Sequence, residues 1–225
     1  MKLPVSVFAA PLFLSAILVA PASALAQSAS PSTPMSPMSA VATPPPLSEE
    51  AMMKQMVLMA ELNENHKLLG TLVGTWDCTS KMWMNPDPSA PPTESKGTAV
   101  RKAIMGGRYF SLDVKSKMPM PDANGKITNS DFEGMGLEGY DNVKKKFISS
   151  WIDNMGTGIL FSEGTYDAPT KTFTYHATGE FMPGMKLAIR AVMKIVDNDH
   201  HVFEWYDNSR GEEAKTMEIS YTRRK

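Results

Sequence analysis

Apolar and polar residues alternate with a period of two along most of the chain after Thr71. The clearest apolar series has charged residues at three of the positions between its members: Lys186, Arg190 and Lys194. That series consists of Met185, Leu187, Ile189, Ala191, Met193 and Ile195. Because successive side chains of a β-strand point to opposite faces, this period predicts strands with one buried face.

Short clusters of Gly, Pro, Asn and Asp separate the alternating runs, as hairpin turns require, and no helical pattern intervenes. The spacing predicts roughly ten strands in series. Sequential hairpins favour an antiparallel meander, and closing it into a barrel removes the exposed edges. We therefore expect a mainly β protein with an antiparallel up-and-down β-barrel at 70–225. Two longer connections, 85–95 and 119–131, are predicted to be loops at the barrel mouth.

The first residues have the layout of a secretory signal peptide. Lys2 precedes an apolar run at 5–20, and Ala24-Leu25-Ala26 provides the small residues of a cleavage site. Pro11 interrupts the run and Pro21 follows it, and the run is shorter than the roughly 20 apolar residues that a spanning helix needs. We expect 1–26 to be removed, with no membrane span afterwards, and the protein to be periplasmic or secreted.

The segment that follows, 27–47, carries no charge and consists largely of Pro, Ser, Ala, Thr and Met. Such a composition cannot bury enough apolar surface to offset the entropy lost on ordering. It is predicted to be a disordered tether.

Helix signals begin at Ser48, a plausible N-cap followed by two glutamates, and predict an N-terminal helix at 48–69. Met52, Met56 and Met59 recur at helical spacing along it. Thioether sulfur suits Cu(I) outside the cytoplasm, so a copper-handling or interaction role is one interpretation. The other is a flexible apolar face packed on its own domain.

The charge balance and the cysteine content narrow the class further. With 23 basic and 24 acidic residues the net charge is −1, which gives no electrostatic footprint for nucleic acid or anionic membranes. The one cysteine, Cys78, cannot form a disulfide within its own chain, so the fold must rely on a packed core. Cys78 is interpreted as a small buried residue or as a thiol for another chain.

Sequence motifs for catalysis are missing: there is no G-x-S-x-G, H-E-x-x-H or C-x-x-C. The G-x-G-x-x-G at 134–139 is followed by a turn and another strand, so its glycines are expected to relieve barrel curvature rather than bind a nucleotide. His200 and His201 are adjacent, and adjacent strand residues point apart, so we expect a solvated loop rather than a chelate. We predict no catalytic residue, cofactor or metal site.

Three blocks resemble the DUF1579 family of exported proteins of uncharacterised function: HKLLGTLVGTW at 66–76, the segment 136–158, and SEGTYD at 162–167. The G-x-W at 74–76 also resembles the first-strand motif of calycins, the superfamily of lipocalins and fatty-acid-binding proteins. This resemblance implies a calycin-like barrel in which Trp76 plugs the closed end beneath a basic residue of the last strand. Alternation in that strand puts Arg223 in position, and Gly74 lets the chain pass close to the ring.

Binding of a small hydrophobic or amphipathic ligand inside the barrel is the leading hypothesis, with a fatty acid or similar lipid as the first guess. The cavity candidates are Trp151, Asp153, Glu163 and Tyr175. An enzyme on the same scaffold, with unrecognised catalytic residues, is the alternative. Asp153 and Glu163 are candidates for its acid and base, but surface ion pairing is the expected role of both. Nitrobindin-like barrels bind haem through a histidine near the chain end, but this chain has none after His201. The oligomeric state is left open.

Overall fold

The computed structural model describes residues 47–83, 85, 87, 89–121, 124 and 126–225. The signal peptide predicted at 1–26 lies outside the described residues, as does the tether predicted at 27–47 except for its last residue. Within the described part of the chain, no helix is both long enough and apolar enough to cross a membrane.

The strands form a closed antiparallel barrel in which each pairs with its sequence neighbours and the last pairs with the first. Ten strands lie in the described residues: β1 Gly74–Met82, β2 Thr93–Ile104, β3 Tyr109–Pro121, β4 Ile127–Asp141, β5 Lys146–Asp153, β6 Leu160–Asp167, β7 Thr172–Met182, β8 Met185–Ile195, β9 His200–Asp207 and β10 Ala214–Arg223. The predicted fold class, a mainly β up-and-down barrel, is confirmed.

The β3–β4 hairpin is longer than the sequence predicts. The connection expected to be a loop at 119–131 is mostly strand, because β3 continues to Pro121 and β4 begins at Ile127. Pro119 lies opposite Asn129 in that pair. The turn signal of the two prolines was weaker than the pairing available from the neighbouring strand, so the prediction was wrong there.

The predicted helical segment is helical but divided. Helix α1 spans Glu49–Ala60 and helix α2 spans Glu64–Gly70. The break arises because Asn63 caps α2: its side chain accepts from the backbone N–H of Asn65, and its own N–H donates to the His66 ring.

Helix α1 has no buried residue, so its methionines do not pack into the domain core as one interpretation required. Its C-terminal end is attached to the barrel instead. The side-chain amide of Asn142 donates to the carbonyls of Met59 and Glu61, each over 2.8 Å. The copper-handling interpretation stays a prediction.

Helix α2 packs on one end of the barrel and closes it. Leu69 and Leu72 are buried there against Phe110, Phe147 and Phe173. The rings of Phe147 and Phe173 meet edge to face with centroids 4.9 Å apart. This geometry adds to the free energy gained from burying their apolar area.

At the same end, Trp76 is buried and donates its indole N–H to the carbonyl of Leu72 over 3.0 Å. Arg223 covers the ring, and Gly74 lies beside both with φ 145°. A Cβ on Gly74 would lie 2.5 Å from Arg223 Nη1, so any larger residue would collide with the guanidinium. The structure thus brings together the three residues to which a structural role was assigned.

Candidate ligand site inside the barrel

The interior space enclosed by the strands, here called the lumen, differs between its two ends. At the α2 end the inward side chains are buried in the core. Toward the opposite end, Phe132, Trp151 and Trp205 are only partly buried, although they pack against the buried core clusters. The end beneath α2 is therefore closed, and the other end, where part of this aromatic surface remains exposed, is here called the open end.

Trp151 lies against β4 because two glycines make room for its ring. A Cβ on Gly134 would be 2.3 Å from Trp151 Cζ2, and one on Gly136 would be 3.4 Å from Cε3. The first two glycines of the G-x-G-x-x-G segment thus accommodate an aromatic ring, and their role in barrel curvature stays a prediction. The indole N–H of Trp151 donates to Asp153 Oδ2 over 2.9 Å, which fixes the ring at the lumen wall.

A buried ion pair lies deeper in the lumen. Arg101 on β2 donates through Nη2 to Glu138 Oε1 on β4 over 3.0 Å. Their side chains are only 4% and 12% exposed, respectively. Both residues sit at inward positions, between Ala99 and Ala103 on β2 and between Gly136 and Tyr140 on β4. Because both side chains are buried, removing either charge would leave the other without compensation and would destabilise the fold.

Four residues with unpaired polar atoms form what we call the interior polar cluster: Arg101, Glu138, Tyr175 and His201. Among the described residues, Arg101 Nη1, Glu138 Oε2, Tyr175 Oη and His201 Nδ1 are buried and have no hydrogen-bond partner. Most buried polar atoms in proteins do have a partner, and an unpaired one costs its full desolvation. Four such atoms lie in one barrel interior, so this region carries an uncompensated desolvation cost.

The charges of the ion pair act on the other two members of the interior polar cluster. The Glu138 charge adds to burial in raising the pKa of Tyr175, while the Arg101 charge opposes that rise. The Arg101 charge also reaches His201, where it helps burial to lower the pKa. Arg101 therefore acts on both the phenol and the imidazole, and Glu138 acts on the phenol.

His201 packs against aromatic rings and is shielded from solvent. Its ring stacks on Tyr221, with centroids 4.4 Å apart and an interplanar angle of 11°. It also meets the edge of Trp76 at a centroid distance of 4.3 Å. With 3% of its surface exposed, His201 contradicts the predicted solvated loop. The reason is that β9 begins at His200, so His201 takes an inward strand position.

Burial keeps the aromatic members of this region neutral. Burial, Arg101 and Arg223 lower the pKa of His201 to about 3. Burial is the main cause that raises the pKa of Tyr175, of Tyr221 and of the buried Cys78 thiol. The interior polar cluster therefore holds one positive and one negative charge at neutral pH, both from the ion pair.

Three of the four predicted cavity residues face the lumen. Trp151 and Asp153 lie on its wall toward the open end, and Tyr175 is buried in the interior polar cluster. Glu163 does not face the lumen: it is half exposed on the outer surface and pairs with Lys144. Period two puts it opposite Ser162 and Gly164, which point inward on β6. Asp153 and Glu163 are thus on opposite faces of the barrel wall and cannot act as one acid–base pair.

The sequence-based prediction missed Arg101, Glu138 and His201. For His201 a signal was present, since His201, Phe203 and Trp205 share one strand face. For Glu138 the pattern was misleading, because the apolar neighbours Met135 and Leu137 point outward and are 48% and 42% exposed. The Trp151 ring fills the inner side of β4 beside its glycines, which explains why the apolar residues of this strand lie on its outer face.

Among the described residues, no three or more His, Cys, Asp or Glu side chains are grouped to hold a metal ion. The lumen thus holds partly exposed aromatic side chains toward one end and hydrogen-bonding groups without partners deeper inside.

Comparison with solved structures supports the architecture. The crystal structure of Rv2717c from M. tuberculosis is similar with a TM-score of 0.52 and 15% identity, covering 73% of this chain and 100% of that one. At this identity the likeness shows the fold alone. A protein of unknown function from the DUF3598 family of Nostoc punctiforme PCC 73102 gives a TM-score of 0.24 at 6% identity, covering 72% and 100%. That score is too low to carry an argument.

No curated protein matches the sequence. The family model described as "Protein of unknown function (DUF1579)" matches residues 61–223, which include the whole barrel. The chain therefore belongs to the DUF1579 family.

Proposed function

We propose that this protein is an exported binding protein whose lumen holds a small amphipathic molecule. The apolar part of the ligand lies along the aromatic wall near Trp151, and its polar part reaches the interior polar cluster. Export rests on the signal-peptide layout of 1–26. Mass spectrometry of the N-terminal peptide, on protein recovered from cell fractions, tests export. We expect a chain that begins near Gln27 and is found outside the cytoplasm.

The observation that carries the proposal is the set of four buried polar atoms without partners, located in the barrel interior. A protein that needed only a filled barrel would gain stability from apolar residues at these positions. Water molecules are the competing occupants, since they also satisfy buried polar atoms. A ligand differs from water in that it would also cover the partly buried aromatic wall.

Two adjacent serines on β5 offer a matched test. Ser149 lies between the inward residues Phe147 and Trp151, and its strand partners are Glu138 and Ser162. Ser150 points to the outer surface, where its partners are Leu137 and Phe161. Ser149→Phe fills the lumen beside the interior polar cluster, whereas Ser150→Phe adds the same ring outside.

We expect a neutral solvatochromic dye to bind the delipidated protein saturably at micromolar concentration. Ser149→Phe should abolish that binding, and Ser150→Phe should leave it intact. Thermal unfolding of both variants shows whether each barrel is folded. Equal binding by the two folded variants would place the dye outside the lumen and refute the proposal.

A further inference from the structure

The charges around the lumen indicate what kind of head group it accepts. Arg101 is compensated by Glu138, its partner at 3.0 Å. Burial of Asp207 at the open end of the lumen wall acts to raise its pKa, but hydrogen bonds from Ser209, Thr216 and Trp205 together outweigh burial and hold the pKa below the usual value. Asp207 therefore stays ionised at neutral pH, and Asp153 is a further acidic residue on the same wall.

Arg223 does not supply the missing positive charge. Its guanidinium covers Trp76 at the closed end and donates to the carbonyls of Val73, Thr71 and Asn198. Asp199 lies 3.5 Å from its Nε. An anionic head group at the interior polar cluster would thus find Arg101 already paired with Glu138 and would lie on the same side of the wall as the Asp207 carboxylate.

The unpaired atoms themselves are of mixed type. Arg101 Nη1 can only donate a hydrogen bond, and Glu138 Oε2 can only accept one. Tyr175 Oη can do both, and His201 Nδ1 does either according to its tautomer. A carboxylate has acceptors alone, so it could pair with Arg101 but would repel Glu138.

We propose that the interior polar cluster recognises an uncharged head group that donates and accepts hydrogen bonds side by side, as a primary carboxamide or a glycerol diol does. Its oxygen accepts from Arg101, and its N–H or O–H donates to Glu138. Tyr175 completes the set from β7. This inference rests on the proposed function and replaces the fatty acid with an uncharged amphiphile of the same length.

The test uses amphiphiles with one alkyl chain and different head groups: dodecanamide, monolaurin, dodecanoate and dodecylammonium. Each displaces the neutral dye from the purified protein in mildly alkaline buffer, where dodecanoate is fully ionised. We expect the amide and the monoglyceride to bind tighter than either ion by about tenfold or more. Dodecanoate binding as tightly as the amide would overturn the head-group assignment while leaving the proposed function intact. If no amphiphile displaced the dye, both would fail.

Variants then locate the head group. Glu138→Gln removes the negative charge beside Arg101 and should shift the ratio of amide to carboxylate affinity toward the carboxylate by about tenfold. Glu133→Gln is the matched control, since it makes the same change on the outer face of β4, where Glu133 pairs with Lys115. Tyr175→Phe provides a second test that leaves the ion pair in place, and it should weaken the amide more than the dye. An unchanged head-group ratio in folded Glu138→Gln or Tyr175→Phe protein would place the head group elsewhere and refute the assignment.

Discussion

Arg223 lays its guanidinium over the indole of Trp76, with Cζ 4.1 Å from the ring centroid, and the two residues are direct partners in the β1–β10 pair. The same guanidinium donates to the carbonyls of Val73 and Thr71 over 2.6 and 2.9 Å. These carbonyls follow helix α2, so one side chain joins the last strand, the first strand and the helix that closes the barrel. The contact therefore closes the barrel where its first and last strands pair.

Loss of this contact should destabilise the whole barrel. Removing a large buried aromatic costs about 3–5 kcal/mol, so Trp76→Ala should lower the free energy of unfolding by that amount. Arg223→Ala should cost less, because its stem and planar head pack on the ring while part of it stays solvated. Urea unfolding measures both.

The neighbouring Arg224 is the matched control for Arg223. It pairs with Asp77 on the outer surface, so Arg224→Ala should unfold at nearly the parent denaturant concentration. If Arg223→Ala and Arg224→Ala unfolded together, the stacking on Trp76 would contribute nothing beyond a surface contact.

Gly134→Ala should displace Trp151. The added Cβ would lie 2.3 Å from Trp151 Cζ2, which is too close for the ring to keep its place. Overpacking of this kind typically costs about 1–3 kcal/mol. We expect a lower melting temperature together with altered near-ultraviolet circular dichroism from the tryptophans. Gly158→Ala, where a Cβ meets nothing within 4 Å, should leave both signals unchanged.

Removing one residue of the ion pair in the interior polar cluster should destabilise the fold, whereas replacing both residues by apolar ones should have little effect on stability. Arg101→Met leaves Glu138 buried without a counter-charge, which should lower the free energy of unfolding by about 3–5 kcal/mol. The double variant Arg101→Met, Glu138→Leu should recover most of that loss, since apolar residues of similar size often replace buried pairs at little cost. A double variant as unstable as the single one would contradict this reasoning.

A surface pair gives the contrast for that experiment. Lys115 and Glu133 form an ion pair on the outer face, with both side chains largely exposed. Lys115→Met should therefore have little effect on unfolding.

Acid should destabilise the fold through His201. Burial lowers its pKa from 6.5 to about 3, so between these values the unfolded chain binds a proton that the folded chain excludes. Its contribution to stability is complete above the unfolded pKa and is lost as the pH falls. Between about pH 6.5 and about pH 5 the loss should amount to about 1.5 kcal/mol.

Comparison of His201→Gln with its parent by urea unfolding across this pH range isolates the effect. The variant should lose part of the pH dependence, while the adjacent exposed His200→Gln should retain it. Burial also lowers the pKa of His66, which contributes in the same direction to all three proteins and cancels in the comparison. Identical slopes for His201→Gln and its parent would contradict a neutral, buried His201.

Local sequence patterns determined the strands, their hairpin order and the antiparallel barrel. Period two follows from the geometry of a single strand, and turn residues act on their immediate neighbours. The pairing of Trp76 with Arg223 was expected from the resemblance to calycins, with strand alternation placing Arg223, and the two residues are direct partners across β1 and β10. Helix α1 was predicted from its cap, but the division at Asn63 was not, because the methionine pattern continued up to it.

Only the tertiary structure brought Arg101, Glu138, Tyr175 and His201 together, because they come from four strands, and their proximity depends on barrel closure and register. It also decided that Glu138 points inward while Leu137 points outward. No local pattern on β4 contains that information: the inner space beside Gly134 and Gly136 is filled by Trp151 from the next strand. The sequence by itself determined that a barrel forms, whereas side-chain packing across its interior decided which polar groups the barrel encloses.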